Sequence, residues 1–158
     1  MILDCNEVLE DRLWVGAFVP PEDVKLLVRM GVTTVISLQS DEDLGAYKIN
    51  FKKLTKAYDL AGIELRRIAV PDFDEQAMTA DLERSVAEVE VALAPPYAKV
   101  YLHCTAGVNR APTVAAAYLI RARGFSAQQA CDFVIALRHC RPYLAVLEQY
   151  EASLKSAQ

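Results

Sequence analysis

Lys99-Val100-Tyr101-Leu102-His103-Cys104-Thr105-Ala106-Gly107-Val108-Asn109-Arg110-Ala111-Pro112-Thr113 is the stretch that decides the fold. Residues 99–103 read as a buried strand. A helix follows from about 111 to 123. The turn between them has unusual chemistry. Successive backbone N–H groups in a tight loop can form an anion-binding concavity. The helix that follows adds free N–H donors and a positive dipole at its N-terminus. Gly107 permits a backbone conformation that other residues resist. Arg110 carries a planar fork that matches two phosphate oxygens.

Working outward, strands alternate with helices. Leu13 to Gly16 reads as a short early strand. Pro20-Pro21-Glu22-Asp23 opens a helix with apolar Leu26, Leu27 and Met30, ended by Gly31. Val32 to Leu38 is β-branched and reads as a buried strand. Asn50 to Ala61 reads as a helix closed by Gly62, and Ile63 to Val70 as a strand ended by Pro71. Thr79 to Ala94 repeats Leu82, Val86, Val89 and Leu93 at helical spacing. Further helices are expected near 126–138, capped by Ser126 with Gln129, and near 143–155. This order implies an α/β domain with a largely parallel central sheet flanked by helices on both faces. Ligands of such sheets bind beyond the carboxyl ends of the strands, where Cys104 sits.

Composition narrows the classes. The chain has 158 residues, 53% of them apolar, enough for one domain with a substantial core. A net charge of −4 and a pI near 5.2 argue against a nucleic-acid partner. No leader is read in Met1-Ile2-Leu3-Asp4, and no apolar run has membrane-spanning length. A cytoplasmic monomer with no membrane partner is expected. Four cysteines (5, 104, 131, 140) and two histidines (103, 139) lack zinc-site spacing, so no metal and no cofactor are expected. Cys5, Cys131 and Cys140 read as small buried residues in a reducing compartment.

Cys104 reads differently. A positive cradle stabilises a thiolate. That thiolate can attack phosphorus to give a phosphocysteine, which water hydrolyses. Arg110 and the amides of Thr105, Ala106, Gly107, Val108 and Asn109 would hold the transferring oxygens. His103 is not read as a base for Cys104, because neighbouring strand residues point to opposite faces. It either orders the loop through hydrogen bonds or packs. An alkoxide leaving group also needs a proton donor.

His103-Cys104 followed by five residues and Arg110 resembles the signature of the dual-specificity branch of the cysteine-based tyrosine phosphatase superfamily. The resemblance implies a single phosphatase domain over 1–158. It also implies a general acid from a loop upstream of the cysteine. Asp72, in Val70-Pro71-Asp72-Phe73-Asp74 and 32 residues before Cys104, fills that role, with Asp74 the alternative. Further segments resemble the plant starch-excess and laforin-type glucan phosphatases: Cys104 to Val108, Arg110-Ala111-Pro112, Asp72-Phe73-Asp74, and Ser37 to Leu44 with an aromatic near Tyr47. Three positions depart from common patterns. Asn109 stands where that group has glycine, Val91 where it has a glucan-contacting tryptophan, and Ala111 where many relatives have Ser or Thr.

The five loop residues carry no Lys or Arg, which suits one phosphate on a neutral body. Phe73, Tyr47 and Tyr143 are candidate walls for a sugar, with core packing as their other reading. Three functions follow: a phosphatase for a phosphorylated glucan or other carbohydrate, a protein phosphatase for phosphotyrosine and phosphoserine/threonine, or a catalytically silent phosphate-binding module. The presence of Cys104, Arg110 and Asp72 together disfavours the last.

Overall fold

A computed structural model describes residues 2–158; Met1, the first residue of the segment read for a leader, lies outside them. Its centre is a five-stranded sheet. The strands are β1 (Cys5–Leu9), β2 (Leu13–Gly16), β3 (Thr34–Ser37), β4 (Glu64–Arg67) and β5 (Val100–His103). Their spatial order is β1-β2-β5-β3-β4. β2, β5, β3 and β4 pair in parallel, and only β1 runs antiparallel, at the edge beside β2. The sheet is therefore mixed but largely parallel, as expected.

Period-two alternation divides the core between two faces. Val35 and Tyr101 are partners across β3 and β5 and point to one face. There they pack with Leu27 of α1 (Val24–Met30) and with Leu54 and Tyr58 of α3 (Phe51–Ala61). Ile36, Val100 and Leu102 point to the other face and meet α4 (Glu75–Leu93) and α5 (Arg110–Arg123). Outside α5 lie α6 (Ala127–Leu137) and α7 (Leu144–Ser156). α5 is enclosed by sheet and helices, and Ala115, Ala116 and Ala117 let those neighbours approach closely. Each fully buried Leu or Val adds about 1.5–3 kcal/mol.

Several boundaries differ from the sequence reading. α4 starts at Glu75 rather than Thr79, because Asp74 accepts from the Ala77 amide at 2.9 Å and caps an extra turn. The helix opening at Pro20 begins as a 3-10 turn, Pro21–Asp23, before α1. β1 and the six-residue α2 (Asp41–Ala46) have no counterpart in that reading. Ser126 and Gln129 form the expected capping box. Among the described residues, no helix is long and apolar enough to cross a membrane.

Candidate active site

Cys104 follows the carboxyl end of β5, and Arg110 opens α5. The loop between them is held from outside. His103 Nδ1 lies 2.7 Å from the Cys104 carbonyl. The Phe18 amide donates to the Thr105 carbonyl at 3.0 Å. Arg138 donates from Nη2 to Ala106 at 3.0 Å and from Nε to Gly107 at 2.8 Å. The Arg141 amide donates to Val108 at 2.7 Å, and the Thr113 amide and hydroxyl engage Asn109. All six carbonyls from 104 to 109 are thus turned outward and paired. In a trans planar peptide the next N–H points the opposite way. The amides of 105–110 consequently face the inside of the loop.

Gly107 adopts φ +70°. A side chain there would stand 2.5 Å from Arg138 Nη2 and 2.7 Å from the Gly16 carbonyl oxygen, so only glycine fits. Asn109 has φ −113°, open to any residue. The departure from glycine at this position therefore needs no left-handed backbone.

Arg110 is 1% exposed and Cys104 2%. One edge of the guanidinium is taken by Asp43: Nη1 donates to Oδ2 at 2.7 Å and Nη2 to Oδ1 at 3.1 Å. Nη1 also donates to the Val70 carbonyl at 2.9 Å. Nη2 pairs with Asp72 Oδ2 at 3.2 Å, while Nε is buried without a protein partner. On the remaining edge Nε is unpartnered and Nη2 is held by Asp72, so that edge meets two oxygens once Asp72 moves away. This sharpens the expectation of an open fork: all its donors but Nε are already engaged.

Asp43 is a hub that the sequence reading missed. Ser40 donates its amide and hydroxyl to Oδ2 at 2.7 and 2.8 Å, and Thr105 donates its hydroxyl to Oδ1 at 2.9 Å. Burial alone would raise its pKa, but Arg110 and these donors hold the carboxyl well below the usual range. Ser40-x-x-Asp43 is a capping box, and that pattern was the available signal. Arg138 was missed as well. A lone arginine after α6 carries no such signal.

Burial drives the pKa of His103 down to about 4, and the Arg110 charge adds to that against the opposing hydrogen bond to Cys104. The ring is neutral at pH 7, and its Nδ1 carries the hydrogen donated to the carbonyl. Asp74 is occupied as the α4 cap. Phe73 is 83% exposed at φ +56°, and its amide donates to Asp72 Oδ1 at 3.0 Å. Tyr47 is exposed at the end of α2. Tyr143 is half-buried against the core with its hydroxyl enclosed. Val91 lies in a groove with Thr34, Glu64 and Ala98, at the amino ends of the strands. That is the opposite end of the sheet from Cys104.

Cys104, Ala106, Val108, Asn109, Asp72 and Phe73 line a cleft of about 350 Å³, with His139 and Arg141 at the same cleft. A larger groove of about 540 Å³ between α4 and α7 is lined by no cysteine and no cation. Chemistry, not volume, singles out the Cys104 cleft.

Residues 24–158 match the family model described as the dual specificity phosphatase catalytic domain. The chain belongs to this family of cysteine-dependent phosphatases. It is 28% identical over 155 residues to phosphoglucan phosphatase DSP4, amyloplastic, of Castanea sativa, covering 96% of this chain and 41% of that one. It is 26% identical over 149 residues to dual specificity protein phosphatase 26 of Rattus norvegicus, covering 92% and 66%. The chain thus spans less than two thirds of either relative. Among solved structures, PTPMT1 in complex with PI(5)P shares the fold at TM-score 0.78 and 24% identity, with 97% of each chain covered. The human tyrosine phosphatase-like serine/threonine/tyrosine-interacting protein does so at 0.77 and 18%, with 99% of this chain and 98% of that one covered.

Proposed function

We propose that this member of the dual specificity phosphatase family hydrolyses phosphomonoesters through a phosphocysteine on Cys104, with a phosphorylated glucan or other carbohydrate as substrate. The observation that carries the chemistry is the outward pairing of every carbonyl from 104 to 109. It leaves six amides for a tri-anionic transition state. The whole of 1–158 acts as one catalytic domain, as a monomer and without a cofactor.

The geometry supports this order of steps. The phosphate enters the loop, and two of its oxygens take Arg110 Nε and Nη2. Asp72 leaves Nη2, takes up a proton from solvent and hydrogen-bonds to the ester oxygen. The Cys104 thiolate forms an S–P bond as the P–O ester bond breaks, and the Asp72 carboxyl gives its proton to the departing alkoxide. Water then attacks phosphorus and Asp72 takes its proton. The S–P bond breaks, and phosphate and the thiolate are released. Asp43 keeps Arg110 in place throughout. His103, neutral, fixes the Cys104 carbonyl and takes no proton.

The substrate reading rests on an uncharged loop and on Phe73, an exposed aromatic held over the same cleft. Likeness to the Castanea sativa protein supports it. Tyr143 lies beside the acid loop, and Tyr47, exposed at the end of α2, is a further candidate sugar contact. A second reading, a phosphoprotein substrate, is favoured by Arg141 and His139 at the cleft, which suit an acidic peptide. The two are separated by phosphate release from solubilised phosphoglucan and from phosphopeptides under matched conditions. Cys104→Ser is expected to abolish both. Much faster turnover of phosphopeptides would overturn the carbohydrate reading.

A further inference from the structure

We propose that the N-terminal segment bearing Asp4 and Asn6 is a positioning element of the catalytic loop, acting through Arg138; the idea rests on the loop function proposed above. Neither residue lies within 24–158, the stretch that matches the family. Arg138 is buried at the end of α6, and its guanidinium divides its donors between two places. Nε and Nη2 hold the Gly107 and Ala106 carbonyls. Nη1 donates to Asp4 Oδ1 at 2.8 Å and to Asn6 Oδ1 at 3.2 Å. Asp4 is the sole carboxylate paired with Arg138 among the described residues.

A second path runs through the backbone. The Ala17 amide donates to the Asp4 carbonyl at 2.9 Å, and the Phe18 amide to Thr105 at 3.0 Å. Between them, Gly16 is packed so closely that a side chain would stand 2.5 Å from the Asp4 carbonyl oxygen. On its other side Gly107 abuts Gly16 with equally little room. Residues 4, 16 and 107 thus form a stack of backbones with no slack. Closely packed groups transmit displacement rather than absorb it.

The consequence is specific to transition-state binding. A buried guanidinium deprived of its carboxylate and amide acceptors reorients toward water. The Ala106 and Gly107 carbonyls then lose their outward partner. Their peptide planes are free to rotate, which turns oxygen rather than N–H toward the phosphate. That change penalises the transition state more than the bound substrate.

The test uses the full chain with Asp4→Ala/Asn6→Ala, Asp4→Asn and Arg138→Lys. Asp4 is 71% exposed at its side chain, so its variants keep the core intact. Three quantities are measured well below each melting temperature: vanadate affinity, inorganic phosphate affinity, and kcat on 4-nitrophenyl phosphate. For the double variant, kcat and vanadate affinity are expected to fall together by about tenfold, and phosphate affinity by less. Asp4→Asn keeps an oxygen acceptor and is expected to recover most of the loss. Arg138→Lys keeps the charge but not the fork, so it is expected to behave like the double variant. Wild-type kcat and vanadate affinity in the double variant, whatever its melting temperature, would overturn the proposal. A wild-type protein that binds vanadate but does not turn over the aryl phosphate would count against the hydrolase reading alone, with vanadate affinity still deciding the clamp. Failure of the wild type to bind either anion would overturn both.

Discussion

Asp43 and Arg110, 67 positions apart, form a buried two-pronged ion pair in which both carboxylate oxygens and both terminal guanidinium nitrogens take part. The pair fixes which edge of Arg110 faces the cleft. Asp43→Ala leaves the cation buried without its main partner. It is expected to lower unfolding stability by about 3 kcal/mol or more. A fall in kcat/KM on the order of 10² is expected with it. The folded-state pKa of Asp43 lies below its unfolded value, so its contribution is full above the unfolded carboxylate range and is lost as pH falls through the folded value. The stability gap between wild type and Asp43→Asn in urea should therefore close on strong acidification. A gap independent of pH would contradict the pairing.

His103 gives the opposite test at milder pH. The unfolded ring takes up a proton near 6.5, whereas the folded one does so only at about 4. Between these values the unfolded state binds more protons, so stability falls as pH drops from 6.5 to 4 and levels off below that. The loss is about 3 kcal/mol. His103→Asn should flatten this window in urea titrations from pH 4 to 7, and an unchanged slope would count against a buried neutral ring.

Phe73 combines exposure with a left-handed backbone. Phe73→Gly relieves the strain and should be more stable than Phe73→Ala by about 1 kcal/mol in thermal unfolding. Both variants lose the aromatic wall. On solubilised phosphoglucan, KM is expected to rise about fivefold in both, with little change on 4-nitrophenyl phosphate. Equal effects on the two substrates would remove Phe73 from glucan contact.

Ala111 is fully buried in the same core cluster as Cys104 and has no hydroxyl to offer the departing thiolate. Hydrolysis of the phosphocysteine should be the slow step. Stopped-flow traces with 4-nitrophenyl phosphate should show a burst of one product equivalent and then a slower steady rate. Ala111→Ser should shrink the burst and raise the steady rate. A fast steady rate without a burst in the wild type would refute this.

Much of the fold was legible because its cues are local. Helix ends were marked by Gly31, Gly62 and Gly124 in left-handed caps and by the Ser126 box. β1 was not legible, since Val8 alone among its residues is buried and an edge strand needs no alternation. The start of α4 was misjudged because apolar periodicity begins a turn after the Asp74 cap. Only the sheet order showed that Val91, where the resemblance has a tryptophan, lies at the far end from Cys104.

The sequence by itself determined the candidate catalytic unit: a strand, a loop from Cys104 to Arg110 and a helix. Each part depends on neighbours within a few residues, and strand propensity, glycine freedom and helix-end polarity act at that range. Only the tertiary structure decided how the unit is held. Asp43 from the first turn of α2, Asp72 from the loop before α4 and Arg138 from the end of α6 converge on seven loop residues, and Asp4 and Asn6 from the amino end hold Arg138 in turn. Their separations in the chain reach 134 positions. No local rule spans such distances, because the contacts form only when parallel strand order brings the carboxyl ends of β2, β3 and β5 side by side.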